Sequence, residues 1–312
     1  MRGAGPWFAQ PLLRRDSREV HVRVHRRSTL PALDSPIVVL GTDDIASAVA
    51  HALFVAGSTV VMARDATVPV LRRRMAFDDA LEHGETELAG VRARGAGTML
   101  AVVQLLHSAD VVPVTDIPPD DLLCLGLVRG VVDARMRRHE SKADLRAVAG
   151  FSVGLGPGFT AGENVHLAIE TAPELPASIV REGPTLAAHG CSEPIAGVGR
   201  ERFGRARWGG IWLTPHAIGD AVAAGAVVGS CAGTRLRAPM AGRLRGLVRD
   251  GAEVSPGTRL LEVDPRGDAG QWSGIPHRAA RIAEVTLEAV RELESDDGEL
   301  AEAVAGMSRR AP

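Results

Sequence analysis

The feature that most constrains this chain is an internal repeat. RARWGGIWLTPHAIGDAVAAGAVVG, residues 205–229, recurs 32 positions later as RLRAPMAGRLRGLVRDGAEVSPGTRLLEV, residues 235–263. In that register Gly210 falls on Gly242, Gly219 on Gly251, Val222 on Val254 and Gly225 on Gly257. Each copy reads as strand, glycine turn, strand, Gly-x-x-Val, x-x-Gly, strand. Tight turns between short strands need φ > 0, which glycine adopts without strain. One copy cannot bury its own apolar side. Two interlocked copies can, as a sandwich of about 60 to 80 residues, near the lower limit for an independent core.

A different pattern precedes the repeat. Residues 37–41 (IVVLG) form a short, wholly apolar run that ends at glycine, as a buried parallel strand does. Asp43 or Asp44 then caps a helix with apolar positions Ile45, Val49, Leu53 and Phe54, ended by Gly57. Residues 59–63 (TVVMA) give the next strand. This order opens a doubly wound sheet. Further helices are expected at 77–83 and 98–107. Further strands are expected at 111–114, 127–133 and 151–155, with a half-exposed strand at 165–171, where apolar and polar residues alternate. A Gly- and Pro-rich linker or loop follows from 183 to 199, and residues 278–293 read as an amphipathic helix. The expected fold is α/β: a Rossmann-like doubly wound N-terminal domain plus a C-terminal all-β barrel-sandwich hybrid module. The expected divisions are a disordered basic arm (1–35), the Rossmann-like domain (36–200), the duplicated module (203–268), a C-terminal helix (276–295) and a disordered tail (296–312).

The duplicated module is built like a lipoyl or biotinyl domain, but it cannot carry the arm. In such domains the modified lysine sits on the exposed hairpin between the two halves. Here that stretch is residues 229–235 (GSCAGTR), and the chain's only lysine is Lys142. A guanidinium cannot form the amide, so lipoate and biotin are excluded. The same scarcity argues against a P-loop lysine and most Schiff-base chemistry.

The formal net charge of -2 leaves no global basic field for nucleic acid or an anionic membrane. Cys124, Cys191 and Cys231 are scattered and form no CxxC pair, which suits a reducing cytoplasm better than a disulfide framework or zinc knuckle. No apolar run is long enough to span a bilayer. The arginine-rich first 34 residues lack the apolar core of a signal peptide.

Several constellations can carry chemistry. A dinucleotide fingerprint needs G-x-G-x-x-G. The turn at Gly41 keeps its first glycine but places Asp43 and Asp44 where a phosphate would approach. Asp65 stands near the place of a ribose-binding acid. Gly154, Gly156, Gly158 and Gly162, with Thr160, make the densest glycine loop in the chain; it reads as an anion nest or as a structural turn. Asp133 and Arg135 follow a strand end, where open α/β sheets bind ligands, and Arg135 can meet an anion bidentately. His166 and Glu170 share one face of an expected strand but lie about 13 Å apart, too far for one metal ion; His166 alone can serve as acid, base or ligand. Cys191 sits in a polar loop without a visible cation to lower its pKa.

A family resemblance rests on Val132-Asp-Ala-Arg-Met136, on residues 153–162 (VGLGPGFTAG) with Val165, His166, Glu170 and Thr171, on residues 237–242 (RAPMAG), and on Val263-Asp-Pro-Arg-Gly267. The chain resembles the YqeB-like proteins, the selenium-dependent molybdenum hydroxylase system proteins, over about residues 37–293. The resemblance implies an accessory or maturation role for a molybdenum hydroxylase of the xanthine dehydrogenase type, in the cytoplasm. The expected ligand is a nucleotide or a molybdopterin-type molecule, and the expected partner is the hydroxylase or a cofactor-assembly protein. The family's first turn has an arginine and a second glycine where this chain has Leu40 and Asp43. Alternatives are an NAD(P)-dependent oxidoreductase and a non-catalytic scaffold. Gly41, Asp133, Arg135, Gly154, Gly156, Gly158, Thr160 and His166 are the candidate ligand-binding residues.

Overall fold

The computed structural model describes residues 35–123, 128–137, 140–188 and 190–308, with the backbone alone for 296–308. The basic arm, Cys124, Arg138 and His139 lie outside the described residues. Among the described residues one hydrophobic core lies on a large sheet and another within the repeat.

The first core lies on a nine-stranded sheet. In chain order its part of the protein runs β1 (Ile37–Leu40), α1 (Asp44–Val55), β2 (Val60–Ala63), α2 (Ala80–His83), β3 (Glu85–Leu88), β4 (Val91–Gly95), α3 (Met99–Ser108), β5 (Val112–Thr115), α4 (Pro119–Leu123), β6 (Gly130–Asp133), β7 (Phe151–Leu155), β8 (Thr160–Ala161), β9 (Leu167–Glu170), β10 (Ser178–Val180) and β11 (Gly183–Pro184). The sheet order is β10-β9-β7-β6-β1-β2-β5-β4-β3. All neighbours pair parallel except the antiparallel edges β10 and β3. Along β5-β2-β1-β6-β7-β9 the chain order is 3-2-1-4-5-6, so the winding reverses between β1 and β6.

The apolar run at 37–40 becomes the fully buried β1, paired with β2 and β6. Asp43 caps α1, its Oδ1 accepting the N–H groups of Ile45 (3.0 Å) and Ala46 (2.9 Å). Thr98 caps α3 in the same way. Helix α5 (His277–Ser308) lays Ala279, Ile282, Ala283, Ala289 and Val290 into this core. It runs past Leu293, where the apolar period stops, because Glu- and Ala-rich sequence still favours helix.

Two expectations change. The strand at 165–171 was expected to be half exposed, but all four residues of β9 are buried. It is an interior strand between β7 and β10, so Ala168 has neighbours on every side. The β3–β4 hairpin was not expected. It turns through Ala89 and Gly90, both at positive φ, as a two-residue hairpin turn requires.

The repeat forms the second core: β12 (Phe203–Arg205), β13 (Gly210–Leu213), β14 (Ala221–Val222), β15 (Val227–Cys231), β16 (Thr234–Arg237), β17 (Gly242–Leu247), β18 (Glu253–Val254) and β19 (Arg259–Asp264). The two sheets are β12-β19-β17-β14 and β16-β15-β13-β18. The copies are interlocked, because β14 of the first pairs with β17 of the second and β18 of the second with β13 of the first. The repeat extends to single bonds. Arg205 donates to the Gly257 carbonyl and Arg237 to that of Gly225, both at 2.8 Å. Trp212 N–H donates to Ala252 O, and Leu244 N–H to Asp220 O. Gly210 and Gly242 have φ of +148° and +153°. Trp212 and Leu244, at matched positions, fill the centre. Cys231 belongs to this core; the hairpin tip is Ala232-Gly233.

Candidate functional site

The carboxyl ends of β1, β2, β6, β7 and β9 open on one edge of the large sheet, at and beside the reversal between β1 and β6, where open α/β sheets take ligands. Most candidates from the sequence gather there.

Gly41 turns the chain off β1 at φ +108°. A Cβ there would lie 3.2 Å from Ala46 Cβ and 3.4 Å from the Arg135 backbone, so the glycine lets α1 and the end of β6 close on each other. The first N–H groups of α1 are taken by Asp43. Burial, together with the neighbouring Asp44 carboxylate, pushes Asp43 up to about 7.

The described arginines of this edge, Arg64, Arg135 and Arg137, are spent on carboxylates. Asp133, at the end of β6, is buried, and Arg135 folds back onto it: Arg135 N–H and Nε both donate to its Oδ1, at 3.1 and 3.0 Å. Asp144 with Arg146, and Asp264 with Arg266, repeat this fork. Arg137 grips Asp65, the acid at the end of β2, and also reaches Glu140. Burial opposes ionisation of Asp65, but Arg137 and Thr67 outweigh it and hold the carboxyl below its usual range. Arg64 donates to Asp78 at 2.9 Å, and the Thr42 hydroxyl donates to the same carboxylate at 2.7 Å.

Lys142 is different. Among the described residues no carboxylate forms an ion pair with its ammonium, which lies 4.9 Å from the centre of the Phe159 ring. Burial lowers its pKa, and the opposing pull of Asp133 is weaker. Gly158 lies beside it: a Cβ there would lie 3.4 Å from Lys142 Cγ, in ordinary contact. Gly154 makes room for the Phe159 ring, which a Cβ would meet at 2.3 Å. Gly156, at φ +83°, passes Thr171 so closely that a Cβ would lie 2.8 Å from the hydroxyl. The glycine loop is thus a packing device on its sheet side. The Thr185 hydroxyl fixes it by donating to Gly156 O at 2.8 Å.

Beside the loop is a shallow crevice lined by Met136, Pro157, Thr171, Leu186 and Cys191. The Glu170 carboxylate braces its floor, accepting the N–H groups of Thr171, Ala172 and Leu186, each at 2.7 Å. Met136 takes a left-handed φ of +53° there.

The structure therefore gathers Gly41, Asp133, Arg135, Gly154, Gly156 and Gly158 at one edge. Thr160 turns away into β8, its N–H held by Asn164. His166 stands at the opposite, amino end of β9, where its Nδ1 accepts the Ser152 N–H at 3.0 Å. Lys142 was read from the sequence only as a scarcity. Its place over Phe159 is a contact 17 residues away that no local pattern announces. Among the described residues, no group of three or more His, Cys, Asp or Glu has the arrangement to hold a metal ion, and no helix is long and apolar enough to cross a membrane.

The chain is 33% identical over 260 residues to the uncharacterized protein YqeB of Escherichia coli (strain K12), an alignment that covers 82% of this chain. It spans about half the length of that relative, 47%. No family model matches the chain, and no solved structure matches it.

Proposed function

Taking as premise that the chain is YqeB-like over most of its length, we propose that it is an accessory or maturation factor for a molybdenum-cofactor hydroxylase of the xanthine dehydrogenase type. In this reading residues 36–200 are a Rossmann-like domain that binds an anionic nucleotide or pterin-like ligand in the cytoplasm. Residues 203–268 are a lysine-free barrel-sandwich hybrid that acts as a docking module for the hydroxylase or a cofactor-assembly protein. The 3-2-1-4-5-6 strand order supports the first assignment. The exchange of strands between the two repeat copies supports the interlocked fold of the second, and its docking role is part of the proposal.

The observation that carries the ligand reading is Lys142. At an edge where Arg64, Arg135 and Arg137 are each held by a carboxylate, Lys142 offers an ammonium that no described carboxylate holds, beside the glycine loop and half out of water. A phosphate or carboxylate placed against it gains a charge-assisted hydrogen bond in a site of reduced dielectric. Asp43, by contrast, already fills the α1 terminus where a pyrophosphate would sit.

The test is a thermal-shift panel on the full chain with NAD, NADP, CTP, GTP and molybdopterin. A shift with a nucleotide or pterin is expected, weakened roughly tenfold or more in affinity by Lys142→Gln, the worth of one charge-assisted bond. A shift with the nicotinamides alone would replace this reading with an oxidoreductase. No shift with any ligand would favour a scaffold, and a shift indifferent to Lys142→Gln would move the ligand elsewhere.

A further inference from the structure

The two sheets of the sandwich are related by the repeat, yet their outward faces meet different surroundings. The outward face of the β12-β19-β17-β14 sheet is covered by the segment after β2: Leu247 N–H donates to Leu71 O at 2.8 Å, and Arg72 donates to Glu262 at 2.7 Å. The matching face of the β16-β15-β13-β18 sheet carries Ile211, Leu213 and Val227, which remain 49%, 53% and 39% exposed, with Trp208 nearby at 54%. Leu213 and Val227 line one shallow surface there, and Ile211 lies two residues from Leu213 on the same face, which marks an interaction surface rather than ordinary scatter.

Charge is arranged across this face. Arg235 on the edge strand β16 pairs in register with Ser230 on β15, and Ser230 pairs with Leu213 on β13. Beyond Leu213, the Asp250 carboxylate accepts the Thr214 N–H at 2.7 Å. Arg235 and Asp250 thus flank one shallow surface with Leu213 and Val227 in its floor. Three strand spacings separate the two charges, roughly 14 Å. The order along the rung is cation, apolar centre, anion.

The geometry points to a second copy of this chain as the occupant: the two open faces stack about a two-fold axis that runs between Ser230 and Leu213. A two-fold contact brings each residue i against residue j of the partner and j against i. A face with a cation at one end, an anion at the other and an apolar middle is its own complement under that operation. Arg235 of each copy meets Asp250 of the other, twice, while the two Leu213 side chains lie on either side of the axis, each over the partner's Ser230 and within one strand spacing of the partner's Leu213. A face with one sign of charge would repel itself, and one without charges would fix no register.

Sedimentation velocity of the full chain over a concentration series tests this. The parent protein is expected to be a reversible dimer. Leu213→Asp, at a half-exposed position with no role in the core, is expected to leave a folded monomer with an unchanged circular dichroism spectrum. Arg235→Glu and Asp250→Arg are each expected to weaken dimerisation roughly tenfold or more, since each sets two like-charge contacts in the interface. An equimolar mixture of those two variants is expected to form a heterodimer that binds more tightly than either variant binds itself. One of its two charge contacts then joins the parental residues' replacements, Glu at 235 and Arg at 250, and the other joins the native Arg235 and Asp250, so both are again between opposite charges. That rescue cannot arise from misfolding of either variant. A monomeric parent at every concentration overturns the proposal and leaves the face to a different protein. A dimer unaffected by Leu213→Asp, or two variants that fail to rescue each other, overturns it as well.

Discussion

At matched positions of the repeat, Leu213 stands where Arg245 does, Ser230 where Glu262 does, and Val227 where Arg259 does. The inward positions do not diverge in this way: Trp212 and Leu244, Val222 and Val254, Val228 and Leu260 are apolar in both copies, and all are buried. The turn glycines 210 and 242, 219 and 251, 225 and 257 share positive φ in each pair. Duplication thus preserved what closes the sandwich, the strand exchange and the glycine turns. It left the outward residues free to follow whatever each face meets. One face meets the loop after β2 and is charged at these positions; the other meets solvent and carries Leu213, Ser230 and Val227, none of them charged. The covered face is the reverse of the usual rule of apolar contacts. Glu262 is fully buried and is shared by Arg72, Arg202 and Arg245, while Arg72 also reaches Asp44 on α1. Burial opposes the ionisation of Glu262, but the guanidiniums, Arg72 foremost, hold its pKa below the usual carboxylate range.

The strongest way to break this comparison is to neutralise the centre of the covered face. Glu262→Gln keeps the shape but leaves three arginines without their carboxylate in a water-poor contact. Removing one partner of a buried ion group costs about 3–5 kcal/mol. The matched change on the open face, Ser230→Ala, touches no charge and should stay within about 0.5 kcal/mol. Urea unfolding of the two variants gives the contrast directly. Equal losses would show that the two faces are energetically alike.

A smaller contrast separates the two copies at their first glycine. A Cβ on Gly242 would lie 2.2 Å from Asp264 O, a backbone atom that cannot move aside, whereas on Gly210 the nearest atom is Ala232 Cβ at 3.4 Å. Both have φ near +150°, so both alanine variants are strained. Gly242→Ala should cost about 3 kcal/mol from strain and clash together, and Gly210→Ala about 1 kcal/mol from strain alone. Thermal melts rank them; a reversed order would show that β13, not β17, is the tighter of the two strands.

Much of this was legible because its causes are local. The apolar run at 37–40, the cap at Asp43 or Asp44, and the glycines of the repeat each declare a backbone requirement within a few residues. The Asp133-x-Arg135 fork was equally local, but Arg135 read as a group for an anion, because the return of an arginine to its own aspartate is a matter of side-chain geometry. The cluster around Glu262 joins residues up to 190 positions apart, and Lys142 finds Phe159 across a turn. No spacing rule predicts such contacts. The half-exposed reading of β9 failed for a related reason: alternation reports an exposed face only where nothing covers it, and here Glu170 is buried because it serves three backbone N–H groups.

The last contrast is in pH. Asp43, the cap of α1, adjoins Asp44, the carboxylate that Arg72 holds together with Glu262, and its folded pKa is about 7. Unfolded, the same group ionises near 3.9. Between those values the folded chain keeps a proton that the unfolded chain has released. The contribution of Asp43 to stability is therefore complete below about pH 4, declines as pH rises toward 7, and is level above. In Asp43→Asn the new amide accepts the same two N–H groups through its oxygen, so the α1 cap is kept, and it never ionises. The variant should match the parent at pH 4 and exceed it by about 1 kcal/mol at pH 8, a value kept small because Asp43 retains some contact with water. Glu262 titrates in the opposite sense in both proteins and cancels from the difference. Urea midpoints of parent and variant at pH 4 and pH 8 decide it. A gap of the same size at both pH values would mean that Asp43 carries no displaced proton.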